Sequence, residues 1–125
     1  MNQKYPNIEK LKSKKLLDAL FTSGNKLNKY PIKLVYKKID FKDECFFKVG
    51  VSVPKRNFKK AVDRNKIKRL MREAYRLNKH IIQNEKNNKY VCMLLFIGKE
   101  TPDFEELNTK VNKLLVKFNE KENSI

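Results

Sequence analysis

Between Lys59 and Lys79 the chain reads KKAVDRNKIKRLMREAYRLNK, and its polar residues recur at a spacing suited to binding a polyanion. If the chain advances at the ~100° per residue of an α-helix, Asn65, Lys68, Arg69, Arg72, Arg76 and Lys79 fall within roughly a 100° arc. Aligned cations repel one another. A nucleic-acid backbone that neutralises the whole row relieves the repulsion and releases its own condensed counterions. The opposite side carries Ile67, Leu70, Met71, Ala74, Leu77 and Ile81 at the i, i+3, i+4, i+7 spacing of a packed helix. Glu73 is the only acid inside the helical core, and it lies off the cationic arc.

Groups able to make or break bonds are sparse. A nuclease acting by itself needs carboxylates that share a magnesium ion or a histidine-based acid–base pair. The single histidine, His80, reads as a helix C-terminal residue favoured by the dipole. Asp40, Asp43 and Glu44 cluster in a predicted turn, while Asp63 and Glu73 stand ten residues apart without the convergence a shared ion requires. Cys45 and Cys92 are isolated thiols with no CxxC or Cys/His spacing, so neither a zinc site nor a disulfide framework is expected. No catalytic residue, no metal ligand and no protein-bound cofactor is expected.

Composition agrees with a binding role. Thirty Lys and Arg stand against fourteen Asp and Glu in 125 residues, a net charge of +16, so RNA or DNA is the first partner to consider. A hydrophobic fraction of 40%, with eight Phe and five Tyr, is enough to build a core. The expectation is one RNA-binding domain over residues 1–125, with flexible tails at about 1–10 and 119–125. No run approaches the ~18 apolar residues of a membrane span, and the N-terminus lacks an apolar signal segment. A cytoplasmic protein with no membrane partner and no obligate protein partner is expected.

The elements that must position the cationic row can be read in order. Met1 to about Lys12 form a polar arm, ordered in part by Tyr5, Ile8 and Leu11. Ser13 caps a short helix in which Leu16, Leu17, Leu20 and Phe21 share a side and Gly24 is the stop. Pro31 opens a strand where Ile32, Leu34 and Tyr36 alternate with Lys33, Val35 and Lys37. In the run Phe46 to Val53, Phe47, Val49, Val51 and Val53 take one face, leaving Lys48, Gly50 and Ser52 on the other. That second face is smooth, able to accept a close-packed element or to serve as a floor for a ligand backbone. Pro54, Lys55, Arg56 and Asn57 form a basic loop into the central helix. Beyond the polar connection Gln83 to Lys89, the apolar run Tyr90 to Ile97 suggests a central strand buried on both faces. Asp103 and Glu106 have capping-box spacing before a helix whose stripe is Leu107, Val111, Leu114, Leu115 and Phe118, with fraying from Glu120. The result is an α+β fold, one sheet covered by helices, and the general handedness rule gives a right-handed crossover if the strands around the basic helix run parallel.

The stretch GVSVPKRNFKKAVDRNKIKRLMREAYR, Gly50 to Arg76, closely resembles the signature of the bacterial ribonuclease P protein subunit. That signature is a strand ending in a basic pair, then a helix with Arg-Asn-Arg, Lys-Arg and Arg-Glu. Here Arg64-Asn65-Lys66, Lys68-Arg69 and Arg72-Glu73 stand in that order. The similarity extends over roughly Leu11 to Phe118 and includes Phe21 to Gly24 as the end of the first helix. Two residues depart from the pattern. Lys66 replaces the last Arg of the triplet, a point charge for a bidentate fork, and Leu17 stands where the first of two aromatics is common.

The resemblance implies a single small sheet of about four strands packed with three helices, in the order α-β-β-(β)-α-β-α, as a ribosomal-protein-like two-layer sandwich. It also implies a left-handed βαβ crossover, against the general rule. The implied function is that of a protein cofactor of the ribonuclease P ribozyme, with partners the catalytic RNA subunit and precursor tRNA, promoting removal of the 5′ leader. Catalysis would be carried by the RNA, with Mg2+ at the RNA active site. Carried over by position, Arg64, Asn65, Lys66, Lys68, Arg69, Arg72 and Arg76 would grip the catalytic RNA. Leu17, Phe21, Lys33, Val35, Tyr36, Gly50, Ser52, Lys55 and Arg56 would line a leader cleft, with Phe21 able to stack a base beside the smooth strand floor. The competing reading is a structural RNA-binding protein of ribosomal type with no role in cleavage.

Overall fold

A computed structural model describes residues 13–42, 44–82 and 87–123. Tyr5, Ile8 and Leu11 of the expected arm, Asp43 of the acidic turn and residues 83–86 of the polar connection lie outside the described residues. Helix α1 (Lys14–Ser23) starts at Ser13, whose hydroxyl accepts a 3.3 Å hydrogen bond from the Leu16 amide. It ends at Gly24, but with extended backbone rather than a left-handed cap (φ −73°, ψ 153°). The glycine is required for space. A Cβ there would press on the Leu20 carbonyl oxygen and sit 2.9 Å from Val35 Cγ1.

Strand β1 (Asn25–Lys29) follows at once and pairs antiparallel with β2 (Ile32–Lys38) across a Tyr30–Pro31 turn with a cis peptide bond. Sequence periodicity does not locate β1. NKLNK has a single apolar residue, Leu27, and takes strand form because β2 offers it a hydrogen-bonding edge. The remaining order is β3 (Phe47–Ser52), α2 (Ala61–Asn78) with a 3-10 turn at Lys79–Ile81, β4 (Tyr90–Phe96) and α3 (Phe104–Glu122). The sheet order is β1-β2-β4-β3, antiparallel except for the parallel β3–β4 pair. Three helices and a mixed four-stranded sheet make the α+β fold expected from the sequence.

Alternation divides the sheet into two faces. Leu27, Ile32, Leu34, Tyr36, Val49, Cys92, Leu94 and Phe96 meet α2 and α3 in the larger core. Val35, Val91 and Met93 meet Leu20 on the reverse face, with Leu16 and Leu17 of α1 packed at the margin. Strand β4 is therefore buried on both sides, as its unbroken apolar run requires.

The buried stripe of α2 is Ile67, Met71, Ala74, Tyr75 and Asn78; Leu70 and Leu77 are only half-buried. Periodicity centred the stripe on the leucines and passed over Tyr75 and Asn78, both polar by type. Asn78 can be buried because its amide is fully engaged. Its Nδ2 donates to the Ala74 carbonyl at 2.8 Å and to Asn108 Oδ1 at 2.6 Å, and its Oδ1 accepts from Asn112 Nδ2 at 3.1 Å. Asn119 Nδ2 adds a bond to the Ile81 carbonyl, so the α2–α3 seam carries a line of amides.

Helix α3 is capped by Asp103, which accepts from the Glu106 amide at 2.8 Å. It continues through Glu122 instead of fraying from Glu120, and the reason is tertiary. Tyr36 and Tyr90 donate their hydroxyls to the two oxygens of Glu122 at 2.9 and 3.0 Å, above rings packed against Phe118 at 4.9 and 5.1 Å. Burial, reinforced by the Glu122 carboxylate, raises the Tyr90 phenol to about 12 and lifts Tyr36 further still. Burial likewise pushes the Cys92 thiol up to about 12, leaving it an inert core residue.

Removing the carboxylate strands two phenols. Glu122→Ala should lower the unfolding free energy by about 1–3 kcal/mol in urea titrations, whereas a merely frayed terminus would leave it unchanged. The pH dependence also follows. The folded state holds tyrosine protons that the unfolded chain gives up near pH 10, so this contribution is complete below pH 10 and falls as pH rises toward 12. Tyr90→Phe should flatten that alkaline decline.

Candidate nucleic-acid interface

Helix α2 begins after the loop 54–60, with Asp63 in its first turn, where a negative charge suits the dipole. With Ile67, Met71 and Ala74 fixed against the sheet, Asn65, Lys66, Arg69 and Arg72 are exposed, and Lys68 and Arg76 are half-buried at the flanks. The predicted row exists as a surface, with its member Arg76 already engaged, as is Arg64 beside it. The Arg76 guanidinium makes a forked pair with Glu73, at 3.1 Å from Nε and 2.5 Å from Nη2, which holds the Glu73 carboxyl below its usual range. Arg64 Nη1 donates to the carbonyls of Phe58 and Lys59 at 2.8 and 2.9 Å, bracing the loop that leads into the helix. Asn65 lies in the second helical turn and not at a cap.

On the reverse sheet face, register aligns residues from three strands. Lys33, Leu95 and Ser52 form one row across β2, β4 and β3; Val35, Met93 and Gly50 form the next; Lys37, Val91 and Lys48 the third. The third row is roofed by Phe41, whose ring has the Lys48 and Lys89 ammonium groups 5.5 and 5.2 Å from its centroid. The second is partly roofed by α1, which buries Val35 beside Leu20. Lys33, Leu95, Gly50 and Ser52 remain half-buried on this face. Phe21 stands on α1 with 53% of its surface exposed, an unusual state for a large aromatic. Lys55 and Arg56 are exposed in the loop joining β3 to α2.

The structure thus places Lys33, Gly50 and Ser52 on the sheet face that α1, which carries Phe21, partly covers, leaves Lys55 and Arg56 in the loop after β3, and puts Leu17 in the packing beneath α1. It removes two predicted members. Tyr36 points to the opposite face, wholly buried and bonded to Glu122, because alternation sends neighbours to opposite sides of a strand. Val35 lies on the cleft side but supports α1 instead of facing outward. Leu95 and Met93 share the Gly50 face as well, which sequence reasoning missed because an all-apolar strand hides which of its residues lie on which side.

Comparison with known proteins decides the family. The family model described as Ribonuclease P matches residues 5–119. The chain belongs to the ribonuclease P protein family. The "Ribonuclease P protein component" of Porphyromonas gingivalis is 31% identical over 113 residues, covering 88% of this chain and 82% of that one. That of Rickettsia bellii is 34% identical over 117 residues, covering 89% and 94%. The ribonuclease P protein of Thermotoga maritima shares the fold at a TM-score of 0.69 and 24% identity, over 87% of this chain and 96% of that one. The Staphylococcus aureus protein does so at 0.67 and 19%, over 88% and 94%. As a ribonuclease P protein, the chain is a protein cofactor in tRNA 5′ processing, and its partner is the ribonuclease P RNA, which carries the catalysis.

Two arginines of the motif, Arg64 and Arg69, should separate in stability measurements. Arg64→Ala should cost about 1–3 kcal/mol of unfolding free energy, since it deprives two carbonyls of a charged donor. Arg69→Ala, which is exposed, should stay within about 0.5 kcal/mol.

Proposed function

We propose that the chain holds the catalytic RNA on the outer face of α2 and the 5′ leader of precursor tRNA in the cleft between α1 and the sheet, working in the cytoplasm. The observation that carries this reading is covalent adjacency: β3, which supplies Gly50 and Ser52 to the cleft floor, runs through Lys55 and Arg56 directly into α2. A leader lying on the floor is therefore delivered beside the RNA that α2 grips. Occupying both surfaces makes leader capture intramolecular with respect to the catalytic RNA, which raises its effective concentration without any added contact.

Roles follow from chemistry. Arg69 and Arg72, with Lys66 and Lys68, supply charge to phosphates; Asn65 can donate to RNA while accepting from a neighbouring arginine. Arg64 and Arg76 contribute field while their guanidinium groups are tied to Phe58, Lys59 and Glu73. In the cleft, Gly50 and Ser52 let a backbone lie close, Lys33 and the Lys55–Arg56 pair neutralise it, and Phe21 offers a ring on which one base can stack. Among the described residues no group of three His, Cys, Asp or Glu side chains is arranged to hold a metal ion, and no helix is long and apolar enough to cross a membrane.

Reconstitution tests the reading. With cognate catalytic RNA at low magnesium, the protein should restore release of the leader from precursor tRNA, and neither component alone should do so. Binding without any stimulation would instead favour a structural RNA-binding role. Arg69→Ala should lower the slope of log K against log salt by about one for the catalytic RNA. Phe21→Ala should weaken precursor binding by ~1–3 kcal/mol and leave mature tRNA unaffected; equal losses for both would point to a folding defect.

A further inference from the structure

We propose that a groove at the C-terminal end of α2 receives one unpaired base of the catalytic RNA, stacked on Phe46. The proposal rests on the reading of α2 as the RNA-gripping helix. Phe46 has 42% of its surface exposed, in the short segment before β3, and its carbonyl is pinned by a 2.8 Å bond from the Tyr90 amide. Beside it opens a groove of about 300 Å3, backed by Tyr75, Phe47 and Ile82, with Lys79 and His80 at the rim. That volume is at the small end of ligand sites, suited to a planar ring held against an apolar wall.

Position and charge identify the ligand. Lys68, Arg72, Tyr75 and Lys79 follow one another at i, i+4, i+7 and i+11, so they form a single line along α2. A strand whose phosphates track that line arrives at Lys79 with its next base beside the Phe46 ring. No carboxylate lines this groove among the described residues, whereas the cleft beside Tyr30 has Glu100 and Glu106 and the one beside Lys29 has Glu120. Of these three grooves, the one at Phe46 combines an exposed aromatic with a lining whose charged side chain is a lysine. Stacking of this kind is tolerant of base identity, and it adds affinity that salt does not screen.

The chain has no tryptophan, so Phe46→Trp creates a single emission reporter at the groove. Titrating that variant with cognate catalytic RNA should quench its fluorescence, and it should bind as tightly as the parent. Phe46→Leu, which keeps an apolar side chain but removes the π-face, should bind the same RNA roughly 5- to 100-fold more weakly with an unchanged salt slope. Lys79→Ala should lower that slope by about one. Emission that does not change at saturating RNA would overturn the pocket, as would parental affinity in Phe46→Leu, and would leave the groove to a protein partner. Arg69→Ala measured alongside separates the two readings. If its slope falls while Phe46→Leu is silent, the pocket fails and the α2 face stands; if its slope is unchanged, the α2 reading fails first.

Discussion

Strand β4 is buried on both of its faces, and the rest of the molecule follows from that condition. A strand with no polar side must be covered above and below, so the sheet needs one helical layer of α2 and α3 and a second cover, α1, on the reverse. Its neighbours are set by the same condition. Only a central position, between β2 and β3, pairs both of its backbone edges and gives each face a full row of partners.

The parallel β3–β4 pair then determines where the cations go. Parallel neighbours cannot be joined by a tight turn, so the chain must cross the sheet, and α2 is that crossing. With one stripe of α2 against the sheet, its charged side has nowhere to go but solvent. The cationic row is thus the back of a structural helix, held rigid by Ile67, Met71 and Ala74 and by the amides that join α2 to α3. Rigidity matters for such a surface, since lysine and arginine side chains lose less entropy on binding when the backbone beneath them is already placed.

Coverage of the reverse face is incomplete, and the uncovered part is the floor proposed for the leader. α1 is ten residues long and the Phe41 segment is short, so they roof two rows of the sheet and leave the row of Lys33, Leu95 and Ser52 open. Gly24 sets the approach of α1 by letting it end in contact with Val35. The far end of the sheet is closed differently. Phe47, Tyr90, Phe118 and Tyr36 pack as an aromatic cluster whose two hydroxyls are gathered by Glu122.

Much of this was legible in the residues themselves. The helices at Lys14–Ser23, Ala61–Asn78 and Phe104–Glu122, the strands β2, β3 and β4 and the cationic face of α2 are written in local periodicity, because side-chain direction in a regular element depends only on position along the chain. The dense run from Gly50 to Arg76 carried the family likeness. Other features required the fold. β1 is a strand because β2 lies beside it; α3 reaches Glu122 because two tyrosines from distant strands meet its carboxylate; Tyr75 and Asn78 are buried because α3 and the sheet satisfy them. The division of Val35 from Tyr36, the tethering of Arg64 and Arg76, and the alignment of Leu95 with Lys33 and Ser52 were likewise decided between elements. Local sequence determines which way a side chain points along its own helix or strand; whether that direction leads to solvent, to a partner or to another layer depends on residues far away in the chain.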